Sequence, residues 1–433
     1  MKKLLAFICL LSNLHALSQV IVIGEALPAW QEGYMDLHHI NTGRGDAAFY
    51  VFPDVTTMLC DAGEMNPYGE RIHSPRNSQI HPDYSKKPYE WIVDYIRMMH
   101  PAGEEANLDY GFITHFHDDH CGAWYAEAPR SQKGEYVLTG VTGVGDALPI
   151  GMMIDRGYPN YDYPVHTKQL IAELKVANPE YAERFRTLEN YWSFLDYQTK
   201  QGMKAAMLRV GTDDQIVLTK NKGAYPSFSV KGIKANGTIW TGRGTETFEY
   251  FPDTTGVPWR QRPSENPLSL AIRIDYGKFK YFTGGDMPGI INLGGPKWND
   301  VETPCAPAIG EVDVATLNHH GNRDSQNPFY VATLKPRVWV QQSWSSDHPG
   351  EEVYRRLTSR AVYPDDRDIF TLNLLDAAVN FIGPNLKRAY KSTEGHILIR
   401  VMPGGDQYYV IILDDENTER KVTKVFGPYG SKD

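Results

Sequence analysis

Three imidazoles and two carboxylates stand within six residues at His115-Phe116-His117-Asp118-Asp119-His120, directly after the apolar run Gly111-Phe112-Ile113-Thr114. Histidine supplies only 14 of the 433 residues, so such density points to a purpose. Just past a strand, alternate positions 115 and 117 can face the same way, and a turn then brings 119 and 120 round. Imidazole nitrogen with carboxylate oxygen suits Zn²⁺ or a similar first-row cation. The plain alternative is a surface turn rich in His and Asp, and ligand-like spacing speaks against it.

Three further clusters say less alone. Thr283-Gly284-Gly285-Asp286 sets a carboxylate in a glycine turn after an apolar strand, where a turn-capping Asp is the commoner reading. Asn318-His319-His320-Gly321 follows the apolar run 312–317, again with histidine at a strand end. Asp347-His348-Pro349 reads equally well as a loop or as an oriented imidazole.

Elements must bring these clusters together. Runs at 35–40, 47–52 and 57–60, split by turns, predict a strand meander, and 64–85 reads as loop. A helix is expected over 88–99, with proline at its start and Trp91, Ile92, Tyr95, Ile96 and Met99 on one face. Further strands are expected at 110–114, 215–218, 228–233, 268–274 and 280–283, with a closing hairpin at 397–402 and 408–413. Residues 351–357 and 372–381 look helical. Between about 150 and 205, helical spacing of Leu170, Ile171 and Leu174, then Phe185, Leu188, Trp192 and Leu195, predicts a helical insertion broken at Pro179. Strands and helices alternate in both halves, so the class is α/β or α+β with two sheets.

Composition bounds the function. With 41% hydrophobic and 22% charged residues the chain is a folded globular protein, not a disordered or fibrous one. A net charge of −9 gives no global positive field for a nucleic-acid backbone. Arg184, Arg186, Lys200 and Lys204 add only scattered positive charge, which reads as a solvated helix face. Nothing after the first residues is apolar for long enough to span a membrane. Lys2 and Lys3, the apolar run 4–11, and small Ala16 and Ser18 read as a secretory signal peptide over 1–18. That predicts export to the periplasm or the exterior; the alternative is a core strand. Cleavage removes Cys9 and leaves Cys60, Cys121 and Cys305, an odd number, so at least one thiol stays free. Whether Cys60 and Cys121 pair is open, as is the oligomeric state.

The 115–120 cluster resembles the HxHxDH signature of the metallo-β-lactamase superfamily. The order of Asn41-Thr42-Gly43-Arg44-Gly45-Asp46-Ala47, Cys60-Asp61-Ala62-Gly63, Ser269-Leu270 through Gly285-Asp286, His319-His320-Gly321 and His348-Pro349 is similar to the hydrolase domain of ComEC-type DNA-uptake proteins. These pieces span about residues 35 to 360, without the membrane channel of such proteins. The resemblance implies an α+β fold, a four-layer αββα sandwich over 19–433 with the helical insertion and C-terminal strands at about 395–427. It implies one or two divalent ions, zinc foremost and manganese as the alternative. His115 and His117 would hold one ion, Asp119 and His120 a second, Asp286 would bridge, and His320 (or His319) would complete the second site. Asp61 would hold the ligand loop from behind.

One departure matters. The superfamily commonly places another histidine before the bridging Asp, whereas the only histidine between 120 and 319 is His166, with Asn266 closer to the expected place. The first site is therefore short of a ligand. The implied chemistry is hydrolysis by a metal-bound hydroxide, with Asp119 orienting it and His348 steadying the developing oxyanion or protonating the leaving group. A small or short phosphodiester or phosphomonoester is the expected substrate, with an acyl hydrolase (lactonase, amidase or β-lactamase-like) or a non-catalytic metal-binding protein as alternatives. Asp46 is a loop residue near the site or a plain turn residue. Cys121 reads as a small packing residue, and Tyr181, Phe185, Tyr191, Trp192 and Phe194 as either the core of the cap or a wall facing substrate.

Overall fold

Alternation in the N-terminal meander does what a period of two requires. Strands β1 (Met35–His39), β2 (Ala47–Val51) and β3 (Thr57–Ala62) pair antiparallel. Met35, Leu37, Ala48, Tyr50, Met58 and Cys60 turn to one buried face, while Ala47, Phe49, Val51 and Leu59 turn to the other. The structure is a computed structural model that describes residues 20–69, 72–292 and 294–432. Residues 1–18, expected from the sequence to be a signal peptide, lie with Cys9 outside the described residues.

Strands β4 (Leu108–Phe112), β5 (Ile150–Asp155) and β6 (Lys204–Met207) extend this sheet in parallel. The chain then builds a second sheet from β7 (Phe228–Ala235), β8 (Thr238–Trp240), β9 (Thr247–Glu249), β10 (Ala271–Tyr276), β11 (Phe279–Thr283), β12 (Val314–Thr316), β13 (Val338–Gln341), β14 (Asp368–Thr371) and β15 (Tyr390–Ser392). It returns to the first with β16 (His396–Val401), β17 (Gln407–Leu413) and β18 (Val422–Gly430). The orders are β18-β17-β16-β1-β2-β3-β4-β5-β6 and β15-β14-β13-β12-β11-β10-β7-β8-β9.

The inner faces meet in one apolar core that takes Leu37, Tyr50 and Ile399 from the first sheet and Ile272, Tyr281, Val340 and Phe370 from the second. The outer face of the first sheet is covered by α1 (Pro88–Met99), with the short α2 (Asp118–Cys121) at its edge and α3 (Gly140–Ala147) beside it. α4 (Thr167–Ala177), α5 (Pro179–Ala182) and α6 (Arg186–Lys200) follow, and α6 buries Tyr191, Phe194 and Leu195 in the same layer. α7 (Glu302–Ile309), α8 (Pro328–Leu334) and α9 (Glu351–Thr358) cover the second sheet. The result is a mixed α+β sandwich of two large sheets between helices. α1 starts as its sequence predicts: Pro88 occupies the first turn, and the Lys87 N–H donates to Glu90 Oε2 at 2.7 Å.

Two expected elements differ. Residues 215–218 form no strand; Ile216 and Leu218 plug the inter-sheet core from an irregular segment, so burial alone explains the apolar run. The helix expected over 372–381 begins later, as α10 (Asp376–Ile382), because 368–371 is the parallel strand β14. Helices occupy 167–200 of the expected insertion, and its two ends, β5 and β6, are strands of the first sheet. Among the described residues no helix is long and apolar enough to cross a membrane. Cys60, Cys121 and Cys305 are buried free thiols.

Acid should weaken this fold. Burial pushes His38 and His39 on β1 down to about 4. The unfolded chain takes up these protons near pH 6.5 and the folded one only near 4, so stability is full above about 6.5 and falls as pH drops toward 4. Each ring contributes on the order of 2–3 kcal/mol to that loss. Urea midpoints at pH 7.5 and 4.5 check it, and equal midpoints would refute it.

Candidate metal centre

The chemistry-bearing residues sit where strands of both sheets end at one edge. Asp61 lies at the end of β3, the 115–120 loop follows β4, Asp286 follows β11, His319 and His320 follow β12, and Gln342 and Trp344 follow β13. Close packing of these loops needs glycine. A Cβ on Gly63 would stand 1.9 Å from the Asp119 carbonyl oxygen, and one on Gly45 would stand 2.5 Å from it. The same carbonyl accepts the Asp46 N–H at 2.8 Å, and the Asp46 carbonyl accepts the Gly63 N–H at 2.7 Å. His319 and His320 both adopt left-handed backbone, with φ of 49° and 54°, a strained choice for histidine that the Gly285 carbonyl helps hold by accepting the His319 N–H at 3.1 Å.

Asp286 is the hub. Its Oδ1 lies 3.1 Å from His120 Nε2 and 3.6 Å from His320 Nε2, and its Oδ2 lies 3.6 Å from His115 Nε2. Asp119 Oδ2 lies 3.0 Å from His320 Nε2, and His117 Nδ1 lies 3.1 Å from His115 Nε2. Two donor groups result, each with its ligand atoms within 4.8 Å of one another: Asp119, His120, Asp286 and His320, and His115, His117 and Asp286. His319 stands outside them, 3.9 Å from Asp286 Oδ2, and engages Asp324 Oδ1 at 2.6 Å and the Asn266 side-chain nitrogen at 3.1 Å. His348 stacks on His320, ring centroids 4.5 Å apart, and its Nδ1 accepts the Trp344 N–H at 3.4 Å.

The donor set fits a divalent cation. His120 Nδ1 meets Asp61 Oδ2 at 2.9 Å, and His320 Nδ1 meets Asp46 Oδ1 at 2.9 Å and the Gln342 carbonyl at 3.0 Å. Those partners only accept, so both Nδ1 atoms carry hydrogen and both Nε2 atoms are left to face the carboxylates. The two Nε2 atoms are 3.4 Å apart, and buried Asp286 Oδ1 has no hydrogen-bond partner among the described residues. Positive charge belongs at that point. Although burial lowers both rings, the carboxylates around them raise His120 and His320 well above the usual histidine range. Burial would raise Asp119 and Asp286, yet the surrounding imidazoles hold both well below the usual range. A cation binding there competes with protons. At His115, burial and then His120 depress the ring well below the usual range, leaving a neutral ligand.

The supports run deeper than the candidate donors. Asp61 also accepts from the Thr114 N–H at 2.8 Å and the Thr114 hydroxyl at 2.7 Å, which fixes the turn into the histidine loop. Asp46, open between two readings on sequence alone, orients His320 and is itself held by Gln342 Nε2 at 2.6 Å. Gln342 Oε1 in turn meets His39 Nδ1 at 3.0 Å. The Trp344 indole N–H donates to Asp119 Oδ2 at 3.1 Å. Glu265 accepts the Phe116 N–H at 2.9 Å and grips Arg156 through two bonds of 2.6 and 2.7 Å. Sequence reasoning missed Gln342, Trp344 and Glu265; only the apolar run 338–340 before the first two could have signalled a strand end.

His117, Asp119 and Trp344 open onto a cavity of about 770 Å³ whose other walls include Tyr181, Phe185 and Leu188 of the cap and Trp259. The aromatics of the cap thus divide: Tyr181 and Phe185 face the cavity, and Tyr191 and Phe194 pack in the core.

No protein-family model matches this chain, and no curated protein matches it. Among solved structures, a protein of Parabacteroides distasonis provisionally named a metal-dependent hydrolase is similar over 77% of this chain and 91% of its own, at 11% identity and a TM-score of 0.33. That likeness is too slight to carry an argument.

Proposed function

We propose that this chain is a metal-dependent hydrolase of the metallo-β-lactamase type, acting on a small phosphodiester or phosphomonoester outside the cytoplasm. The observation that supports it best is Asp286, whose two oxygens face the two separate imidazole groups. In this reading His115 and His117 hold one ion, Asp119, His120 and His320 hold another, and Asp286 serves both. Divalent ions, zinc or manganese, would supply Lewis acidity and lower the pKa of water toward about 7. Asp119, fixed by the Trp344 indole, would orient the attacking water by accepting a hydrogen bond from it at its carboxylate. Burial and then His320 push His348 down to about 3, so at neutral pH it has no extra proton to give. With Nδ1 accepting from Trp344, its Nε2–H is the group left to steady developing charge. Placement outside the cytoplasm rests on the leader-like 1–18 segment alone.

Dialysis against EDTA should abolish hydrolysis of bis(p-nitrophenyl) phosphate or p-nitrophenyl phosphate, and zinc or manganese should restore it. A metal-loaded chain that opens nitrocefin or a lactone while leaving both phosphoesters intact would overturn the phosphoester reading in favour of acyl transfer.

A further inference from the structure

Two guanidiniums, those of Arg184 and Arg260, line the cavity over the candidate metal centre. Arg184, between α5 and α6, and Arg260, in the 258–262 segment, reach the same ring: their guanidinium carbons lie 4.8 and 4.5 Å from the Tyr181 centroid. Both side chains are exposed and both line the cavity. Among the described residues, neither pairs with a carboxylate. Arg156 on the same wall is the contrast, since Glu265 grips it from two sides. Two unpaired guanidiniums gathered on one ring repel each other, and in a chain of net charge −9 they would readily have found carboxylates. Stacking holds each planar fork in place and leaves its N–H groups free for an anion.

Beside them the wall is aromatic. The Trp259 ring lies 5.4 Å from Tyr181 and 6.3 Å from Phe185, and both Trp259 and Phe185 line the cavity. Flat faces of this kind take a flat ring by stacking. About 770 Å³ suits one mononucleotide-sized molecule.

We propose that the cap is an anion subsite: it selects phosphoesters that carry a planar ring and, beyond it, a second phosphate, which Arg184 and Arg260 bind while the scissile phosphate lies at the Asp119 end. Which bond is cut rests on the function proposed above; the anion subsite does not.

Two chromogenic esters separate the parts. Thymidine 5′-(p-nitrophenyl phosphate) and its 3′-phosphorylated form share one reacting centre and differ in the second phosphate. The proposal expects a KM at least tenfold lower for the 3′-phosphorylated ester, and a ratio near one in Arg184→Gln/Arg260→Gln. A general loss of folding would not move that ratio. Equal KM values in the native chain, or an undiminished ratio in the double variant, would overturn it. Should neither ester turn over, the phosphoesterase reading fails, and calorimetric titration with thymidine 3′,5′-bisphosphate decides the subsite alone. Binding weakened at least tenfold by the double variant supports the subsite, and no binding, or equal binding, overturns it.

Discussion

Asp286→Asn should lower kcat/KM on a phosphoester by at least about a thousandfold, the scale on which a group that shapes metal and transition-state charge acts. The substitution keeps size and one oxygen but puts an amide N–H₂ where either Oδ1 faces His120 and His320 or Oδ2 faces His115. Either orientation turns donor hydrogens toward one ligand group and removes the negative charge shared by both. Metal content should fall with activity, and so should the thermal stabilisation that added zinc or manganese gives the native chain. Parallel rate, metal-content and melting measurements check all three. A variant that keeps its metal and its rate would show that Asp286 does not join the two groups.

Gly63→Ala should destabilise the fold by more than about 3 kcal/mol, because the overlap is with main chain that cannot swing aside. The new methyl would lie 1.9 Å from the Asp119 carbonyl oxygen, 2.4 Å from its carbon and 2.9 Å from the Asp46 nitrogen. Relief requires β3 to part from the histidine loop, which breaks the Asp46 N–H bond to Asp119 and shifts two donor residues at once. Gly223→Ala is the control: nothing stands within 4 Å of its added methyl, so its urea midpoint should match the native one. Equal midpoints for the two variants would contradict the packing described at this edge.

The site was legible where chemistry is contiguous in sequence. His115, His117, Asp119 and His120 share one short loop, and Asp286 and His320 each close an apolar run, so strand ends announce them. His319 and His320 are neighbours with the same side chain, and only their folded partners, Asp324 for His319 and Asp119 with Asp286 for His320, show which one enters the four-residue group. Gln342 and Trp344 had only the short apolar run 338–340 to announce them, because β13 is buried along its whole length and shows no alternation. Glu265 acts through Arg156 and the Phe116 N–H, contacts that form only when the chain is folded. The α6 pattern fixed a helix but could not tell which aromatic faces the core, since periodicity reports a face and not its neighbour. The same limit made 215–218 look like a strand: apolar residues are buried there without pairing.

Anomalous diffraction at the zinc edge, from crystals of the native chain grown with zinc, asks whether the donor atoms share an ion. The geometry predicts a strong peak among Asp119, His120, Asp286 and His320, with a second beside His115 and His117. Anomalous peaks confined to the surface, with those side chains ordered and nothing between them, would contradict a metal centre at this edge of the sandwich.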